Sequence, residues 1–380
     1  MAQVLVAMSG GVDSAVAAAL LVEAGHEVTG VHLKLADVPL ERQVPGHGCC
    51  TLDDSQDARR AAQVLGIPYY VWDLSDAFRR EVQDPFAASY AAGVTPNPCV
   101  TCNERVKYAA LLDRATALGF DALATGHHAR LRRAGHPVTE PGPGTELHRA
   151  ADPRKDQSYV LYVATPDQLA RTLLPIGELT KTEVRQRAAA AGIRVAEKPD
   201  SYDVCFVPDG DTAGYLAGEL PPTPGPIVDL DGVEVGQHDG VWRYTVGQRR
   251  GLGLTVDPHV RRFVVDVDAP SRTVVVGPRD ALACHWLEVT TPSWAVLDPP
   301  GDGARVRVQV RSHAPAVLAT LRGADGGWRV ELDVPLHGVA LGQAAVLFDR
   351  EDRVCLGGGR ITRADRPAGL PVAARGSSAR

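Results

Sequence analysis

Residues 3–8, QVLVAM, form a short apolar run that stops at two glycines, Gly10 and Gly11. AVAAALLVEAG follows, an alanine-rich stretch closed by Gly25. The run predicts a buried parallel strand, and the stretch after it predicts a helix ended by glycine at C′. The alternation then repeats. EVTGVHLKL predicts a second strand, LDDSQDARRAAQVLG a helix capped by Asp53 or Asp54 and stopped by Gly66, and PYYVWDL a third strand. ERVKYAALLDRATALG predicts a helix, and FDALATGHH the strand after it. One more helix, over Thr180–Ala191, opens with a capping box of Thr180 and Glu183. This rhythm predicts an α/β fold, a doubly wound parallel sheet with ligands at the carboxyl ends of its strands.

After about residue 205 the pattern changes to short alternating strands broken by Pro, Gly and Asp, as in RRFVVDVDAPSRTVVVGP, ARVRVQVRS and WRVELDVP. The expected organisation is a catalytic α/β domain over 1–205, a small central β-rich domain over 206–278, a C-terminal β-barrel over 279–362 and a disordered tail over 363–380. In ARVRVQVRS, alternation puts Arg305, Arg307, Gln309 and Arg311 on one strand face and Val306, Val308 and Val310 on the other.

Composition narrows the classes. The chain has 380 residues, 44% apolar and 23% charged, which is ordinary for a globular protein of two or three domains. Its apolar runs are too short for a membrane span, and MAQVLVAMSGG lacks a basic leader, so a cytoplasmic protein is expected. Seven cysteines do not suit a secretory disulfide framework. A net charge of −6 argues against non-specific coating of nucleic acid, but leaves room for a specific RNA bound by a local basic face.

The densest local signal is AMSGGVDSA, residues 7–15. A strand ends, Ser9-Gly10-Gly11 turn sharply, and a helix begins near Asp13 and Ser14. Two glycines let backbone N–H groups approach an anion, and the helix N-terminus and two hydroxyls add donors. The lysine of a Walker A loop is missing. The stretch resembles the pyrophosphate loop of the ATP pyrophosphatase superfamily, whose members cleave ATP between the α and β phosphates.

Cys99 and Cys102 form a C-x-x-C pair in VTPNPCVTCNERVKY, and Cys205 lies in KPDSYDVCFV where the α/β half ends. A structural zinc site would need a fourth ligand, and the adjacent Cys49 and Cys50 with His47 are poor completers. A thioredoxin-like dithiol usually opens a helix right after a strand, whereas Pro96 and Pro98 predict an extended, rigid approach here. Arg105 and Lys107 are candidates for lowering the pKa of Cys102. Cys284 and Cys355 read as small buried hydrophobes.

The chain as a whole resembles the tRNA-specific 2-thiouridylases, which place sulfur on the wobble uridine of certain tRNAs. The resemblance runs from residue 4 to about 362 through SGGVDS, TPNPCVTCN, ATGHHAR, KDQSYVL, DSYDVCFV, GQRRGLGL and VCLGGG, in that order. It implies that Cys102 is the catalytic nucleophile and Cys205 the carrier of a persulfide, with a Cys102–Cys205 disulfide left after transfer. It implies that Ala7, Met8, Ser9, Gly10, Gly11, Val12, Asp13, Ser14, Leu33 and Gly126 surround ATP, used with Mg²⁺. It also implies that Asn97, Pro98, Cys99, His127, Lys155, Asp156, Gln157, Arg311, Ser312 and Gln343 contact tRNA. The sulfur donor would be a cysteine desulfurase or a relay protein.

Taken singly, several of these residues have simpler readings. Leu33 can be a strand core residue, His127 a packing residue, and Asp156 a helix cap. Cys99 stands where many relatives carry Asp. Cys99, Cys102 and Cys205 could therefore instead hold three irons of a 4Fe–4S cluster whose open iron carries sulfide. Two rivals remain: a small-molecule ATP-pyrophosphatase synthetase, and a zinc-containing RNA-binding protein with a degenerate loop. Arg249, Arg250 and the glycines of GQRRGLG serve either RNA docking or a domain joint. VCLGGG reads as turn geometry.

Overall fold

The computed structural model describes residues 1–36, 52–193, 204–207, 210–255, 260–324 and 326–366. Its first body is built on a five-stranded sheet. Strands β1 (Gln3–Ala7), β2 (Glu27–Lys34), β3 (Tyr69–Asp73), β4 (Ala122–Thr125) and the short strand Thr172–Leu173 lie in the order β3-β2-β1-β4 and then 172–173. Every neighbouring pair is parallel.

The pleat divides β1 between two cores. Val4 and Val6 pack with helices α1 (Val12–Glu23), α2 (Leu52–Leu65) and Lys181–Ala190, while Leu5 packs with the helical run over 75–117. Both faces of the sheet are covered, as the apolar runs predict. The chain moves outward from β1 to β2 and β3, then returns to the other side of β1 as β4. The loops after β1 and β4 therefore part at the carboxyl edge and leave a crevice, the usual ligand position in such sheets.

Local signals account for the element ends. Gly25 and Gly66 adopt φ of +81° and +67° just past α1 and α2. The Thr180–Glu183 capping box is present, over a helix of Lys181–Ala190. Asp53 and Asp54 lie inside the first turn of α2 rather than before it, so its cap falls outside the described residues.

The helix expected from Glu104 begins six residues earlier, at Pro98. The helical run comprises Pro98–Thr101, a π-helical segment Cys102–Leu111 and Leu112–Ala117. Proline at the first helical position sacrifices an N–H that had no partner there anyway. Pro98 thus starts a helix instead of extending the approach. A three-stranded sheet of Arg130–Arg133, His136–Pro137 and Glu146–His148 also appears in a stretch whose glycines and prolines gave no strand signal.

The second body is a four-stranded sheet of Glu234–His238, Gly225–Val228, Thr273–Gly277 and Phe263–Asp268, in that spatial order. The third is a closed six-stranded barrel of Ala283–Trp294, Gly327–His337, Val317–Ala324, Arg305–Gln309, Ala344–Phe348 and Cys355–Ala364. Val306, Val308 and Val310 point into the barrel core, as their alternation predicts.

Two expectations about the end of the chain are corrected. The last strand runs through Arg363 and Ala364, where the tail was expected to begin; Arg363 pairs with Glu288 at 3.1 Å and Asp365 with His285 at 2.9 Å. Residues 367–380 lie outside the described residues. VCLGGG belongs to that strand rather than to a turn. Its glycines allow close packing, since a Cβ on Gly358 would stand 2.4 Å from the Ala345 carbonyl oxygen.

Candidate active site at the switch point of the sheet

The glycine loop leaves β1 at the crevice and is tied to β2 from behind. Met8 N–H donates to the Val31 carbonyl at 2.8 Å, and the buried His32 Nδ1–H donates to the Met8 carbonyl at 2.9 Å. Gly10 turns at φ +82°, and a Cβ there would stand 2.2 Å from the Asp54 carbonyl oxygen. The position demands glycine both for its backbone angle and for the space.

Gly11 caps α1 and, having no side chain, leaves the first turn without a side-chain cap. The Ser14 hydroxyl accepts from Ser9 N–H and donates to the Gly11 carbonyl, both at 3.1 Å, holding the loop's shape. From the other side Gly126 presses on α1; a Cβ on it would be 2.5 Å from Ser14 N. Ser9, Gly10, Gly11, Asp13, Ser14 and Gly126 thus come together at the turn, while Ala7 ends β1 and Met8 and Val12 are buried in the core behind it. Leu33 is buried in the sheet core behind it.

Asp13, in the first turn of α1, receives three hydrogen bonds. Lys181 Nζ donates to its two oxygens at 2.8 and 2.7 Å, and His128 Nε2 donates to Oδ1 at 3.1 Å. Burial alone would raise the pKa of this carboxyl. The hydrogen bonds and charges of His128 and Lys181 outweigh that and hold it below its ordinary value.

His127 is half-buried beside Thr125 Oγ1 at 2.6 Å and Lys107 Nζ at 3.3 Å. Burial, then the charge of Lys107, then His128 push its pKa well below the usual imidazole value. A neutral ring accepting from the Lys107 ammonium at Nε2 leaves Nδ1–H to donate to Thr125. Lys107 therefore turns into the crevice. Arg105, the other cation considered for Cys102, is exposed and pairs with Glu104.

The cysteines enter on the helix that carries Lys107. The Asn97 side-chain carbonyl caps it, accepting from Cys99 N–H at 3.1 Å and Val100 N–H at 3.3 Å. Cys99 is half-buried and Cys102 buried, 7% exposed. Cys205 is half-buried and packs against the same core cluster as Cys102. The next residue, Phe206, is anchored edge-to-face on Phe78, Phe86 and Tyr215 at 5.7, 5.3 and 5.2 Å. It therefore belongs to the core of the first body.

Cys99, Cys102 and Cys205 are not joined in a disulfide. Among the described residues no three His, Cys, Asp or Glu side chains converge to hold a metal ion. Cys49 and Cys50 lie outside the described residues. The remaining thiols are inert: burial pushes Cys284 up to about 11 and Cys355 up to about 12.

Besides Asn97, Pro98, Cys99 and His127, the residues expected to meet tRNA fall into three groups. The first is Lys155, Asp156 and Gln157. Gln157 is bonded to His128, and Asp156 accepts from Arg149 Nη1 at 2.8 Å and Ser158 Oγ at 2.8 Å. Lys155 N–H donates to the Asp152 carbonyl at 3.1 Å.

The second group is Arg311 and Ser312, which follow the barrel strand Arg305–Gln309 and are exposed. Arg311 Nη2 donates to the Gly338 carbonyl and lies against Gly247, so that glycine of GQRRGLG belongs to a joint between bodies. Arg249 and Arg250 are exposed. The proposed basic strand face is partly spent on the protein itself. Arg305 pairs with Asp333, and Gln309 is 3% exposed and accepts from Arg149 Nη1 at 2.7 Å.

The third is Gln343, whose Nε2 donates to the carbonyls of Thr95 at 3.1 Å and Pro96 at 3.3 Å. The approach to Asn97-Pro98 is thereby gripped from two sides, because Thr95 Oγ1 also meets Thr245 Oγ1 of the second body at 3.2 Å. Reading the sequence places His128 with His127 at the carboxyl edge of the sheet but gives it no role, and it missed Arg149 and Lys181. The capping box located the helix that carries Lys181, but nothing in it gave the direction of that side chain.

Three family models match consecutive parts of the chain: a tRNA methyl transferase HUP domain over residues 2–209, a tRNA methyl transferase PRC-barrel domain over 213–278 and an aminomethyltransferase beta-barrel domain over 284–361. The chain is 54% identical over 349 residues to the tRNA-specific 2-thiouridylase MnmA of Salinispora tropica, covering 91% of this chain and 94% of that one. It is 53% identical to the protein of the same name from Acidothermus cellulolyticus, over 96% of this chain and 99% of that one. The Thermobifida fusca protein of that name is 50% identical, over 96% of each. On identity and coverage of this extent, the chain belongs to the tRNA-specific 2-thiouridylase family.

Proposed function

We propose that this protein is an ATP-dependent sulfurtransferase that converts the wobble uridine of tRNA to 2-thiouridine. The observation that carries the reading is the bond between Lys107 and His127. It joins the helix bearing Cys99 and Cys102 to the loop whose Gly126 presses on the anion-binding turn of α1. That link supports reading a nucleotide site and thiol chemistry as neighbours in one crevice. The domain descriptions speak of methyl transfer, but a methyl transferase has no use for an α/β-cleaving phosphate loop beside cysteines.

The uracil 2-carbonyl is a weak electrophile. Attack of its oxygen on the α-phosphorus of ATP, with loss of pyrophosphate, turns that oxygen into part of a good leaving group. Cys205 carries the incoming sulfur as a persulfide. The Cys102 thiolate attacks the Cys205 sulfur, forming a Cys102–Cys205 disulfide and releasing hydrosulfide. Hydrosulfide adds at C2 of the uracil and expels AMP. A thiol reductant then restores both cysteines, and a cysteine desulfurase or relay protein reloads Cys205.

The glycine loop and first-turn N–H groups hold the phosphates. Asp13, Ser9 and Ser14 present the oxygen donors that Mg²⁺ takes; when bound, the ion supplies charge neutralisation on the triphosphate. Asn97, Pro98, Cys99 and His127 border the target base, while Lys155, Asp156, Gln157, Arg311, Ser312 and Gln343 serve the tRNA body. Reduced thiols of this kind suit the cytoplasm. Among the described residues no helix is long and apolar enough to cross a membrane.

The test is single-turnover thiolation of tRNA with a persulfide donor, using Cys102→Ala and Cys205→Ala. Each variant should make no 2-thiouridine while retaining tRNA affinity. Wild-type thiolation by either variant would sink the mechanism, and ATP–pyrophosphate exchange dependent on a small acid rather than tRNA would sink the substrate.

A further inference from the structure

In the sequence, Pro96 and Pro98 tell against a redox dithiol at Cys99 and Cys102, because they predict an extended approach. In the structure Pro98 instead starts a helical run over 98–117, so Cys99 stands in the first turn of a helix and Cys102 one turn later. We propose that Cys99 is a third catalytic thiol, which resolves the Cys102–Cys205 disulfide left by each sulfur transfer. The inference rests on the persulfide mechanism proposed above and adds the step that frees Cys205 for reloading.

The need for that step follows from burial. Cys102 is 7% exposed and lies in a core cluster against which Cys205 packs. Phe78, Phe86 and Phe206 belong to the same cluster and meet edge to face. A bond between the two sulfurs would sit in that core, whereas thiol–disulfide exchange requires an attacking thiolate to reach a sulfur. A dissolved reductant is poorly placed to do so. Cys99 is half-buried on the same helical run, three residues before Cys102. Residues three apart on a helix are neighbours on one face, and their Cα separation of about 5 Å lies in the range that a disulfide spans.

The helix start also prepares Cys99 as the attacking group. The Asn97 side-chain carbonyl accepts from Cys99 N–H at 3.1 Å and from Val100 N–H at 3.3 Å, which fixes the first turn. The positive end of the helix dipole favours a thiolate in that turn and acts less on a residue further in. The Cys99 thiolate attacks Cys102 Sγ. A Cys99–Cys102 bond forms and the Cys102–Cys205 bond breaks. Its electron pair leaves on Cys205 Sγ, which takes from water the proton that Cys99 gave up. Cys99 is oxidised and Cys205 reduced, so the step needs no outside electrons. A dithiol reductant then opens the new bond at the half-buried Cys99, while Cys205 is already available for fresh persulfide sulfur.

The linkage can be read directly. Cys99 and Cys102 share one tryptic peptide, because no Lys or Arg falls between Arg80 and Arg105, and Cys205 lies on another. The full-length enzyme, loaded from a persulfide donor, makes one turnover with tRNA and ATP without reductant. It is quenched in acid, its free thiols are alkylated, and its peptides are weighed by mass spectrometry. In wild type, peptide 81–105 should be lighter by two hydrogens than its reduced form, with Cys205 alkylated. In Cys99→Ser the same turnover should leave peptide 81–105 cross-linked to the peptide of Cys205. The wild-type result decides the matter even where the variant fails to fold.

A wild-type turnover that ends with Cys102 cross-linked to Cys205 and Cys99 alkylated would overturn the proposal and leave the persulfide mechanism standing. 2-Thiouridine made with all three cysteines alkylated, or made only by protein that holds iron and sulfide on them, would overturn the mechanism and the proposal together.

Discussion

Gln157 and His128 are joined twice. Gln157 N–H donates to the His128 carbonyl at 2.7 Å, and the Gln157 side-chain carbonyl accepts His128 N–H at 2.8 Å. His128 in turn reaches Asp13 at 3.1 Å. Gln157 follows Asp156, which is bound by Arg149, and the same guanidinium reaches Gln309 at 2.7 Å and Asp352 at 2.7 Å in the barrel. A continuous polar chain therefore runs from the barrel to the glycine loop.

Gln157→Ala removes the side-chain half of that double link and keeps the backbone half. It strands a buried N–H, which costs about 1–3 kcal/mol, and it frees the loop that orients His128. The variant should unfold several degrees lower and bind ATP more weakly, with tRNA affinity less affected. Calorimetric ATP titration beside thermal unfolding would check this; a variant with wild-type ATP affinity would show that His128 is held by its packing alone.

The α/β half was legible because its signals are local. Apolar runs, the stop glycines Gly25 and Gly66 and the Thr180–Glu183 box each act within a turn or two. What escaped depends on tertiary context. Pro98 starts a helix because Asn97 caps it. The Asp13–Lys181 pair spans 168 residues, and no periodicity reports on it. The alternation in ARVRVQVRS gave the inward valines correctly, because burial enforces the pleat. It also made Gln309 look like a member of a solvated face, whereas Arg149 from another body covers it. The cysteines were found by type and spacing, but which of Arg105 and Lys107 faces the crevice required the π-helical turn.

His127 makes stability depend on pH in a definite direction. Its folded pKa lies well below the ordinary value of about 6.5. Above that value the ring is neutral in both states and contributes nothing to the pH dependence. Below it the unfolded chain takes up a proton that the folded protein refuses, so stability falls as pH drops from about 6.5 toward the folded pKa. His127→Gln removes this contribution and should flatten the decline of Tm between about pH 7 and pH 5. Asp13, whose pKa is also lowered, contributes stability that is lost only on further acidification, below the ordinary carboxylate value of 3.8. Equal slopes for wild type and His127→Gln over that first interval would place the neutral ring in doubt.

Gln343 offers the sharpest test of how the barrel serves the crevice. Its amide donates to two carbonyls of the segment leading into Asn97 and Pro98. The neighbouring Gly342, at φ +87°, lets the strand approach so closely that a Cβ would lie 2.3 Å from Val94 Cγ1. Thr95 N–H completes the grip by donating to the Leu341 carbonyl at 2.9 Å. Gln343→Ala removes two hydrogen bonds from an otherwise intact junction, a cost of about 1–2 kcal/mol. The helix bearing Cys102 keeps its cap at Asn97 but loses part of the seat beneath it. ATP binding, governed by the opposite wall, should be unchanged, while the single-turnover rate of thiolation should fall several-fold. If the rate is unchanged and tRNA affinity alone drops, Gln343 acts on the RNA directly and its bonds to Thr95 and Pro96 give way when tRNA docks.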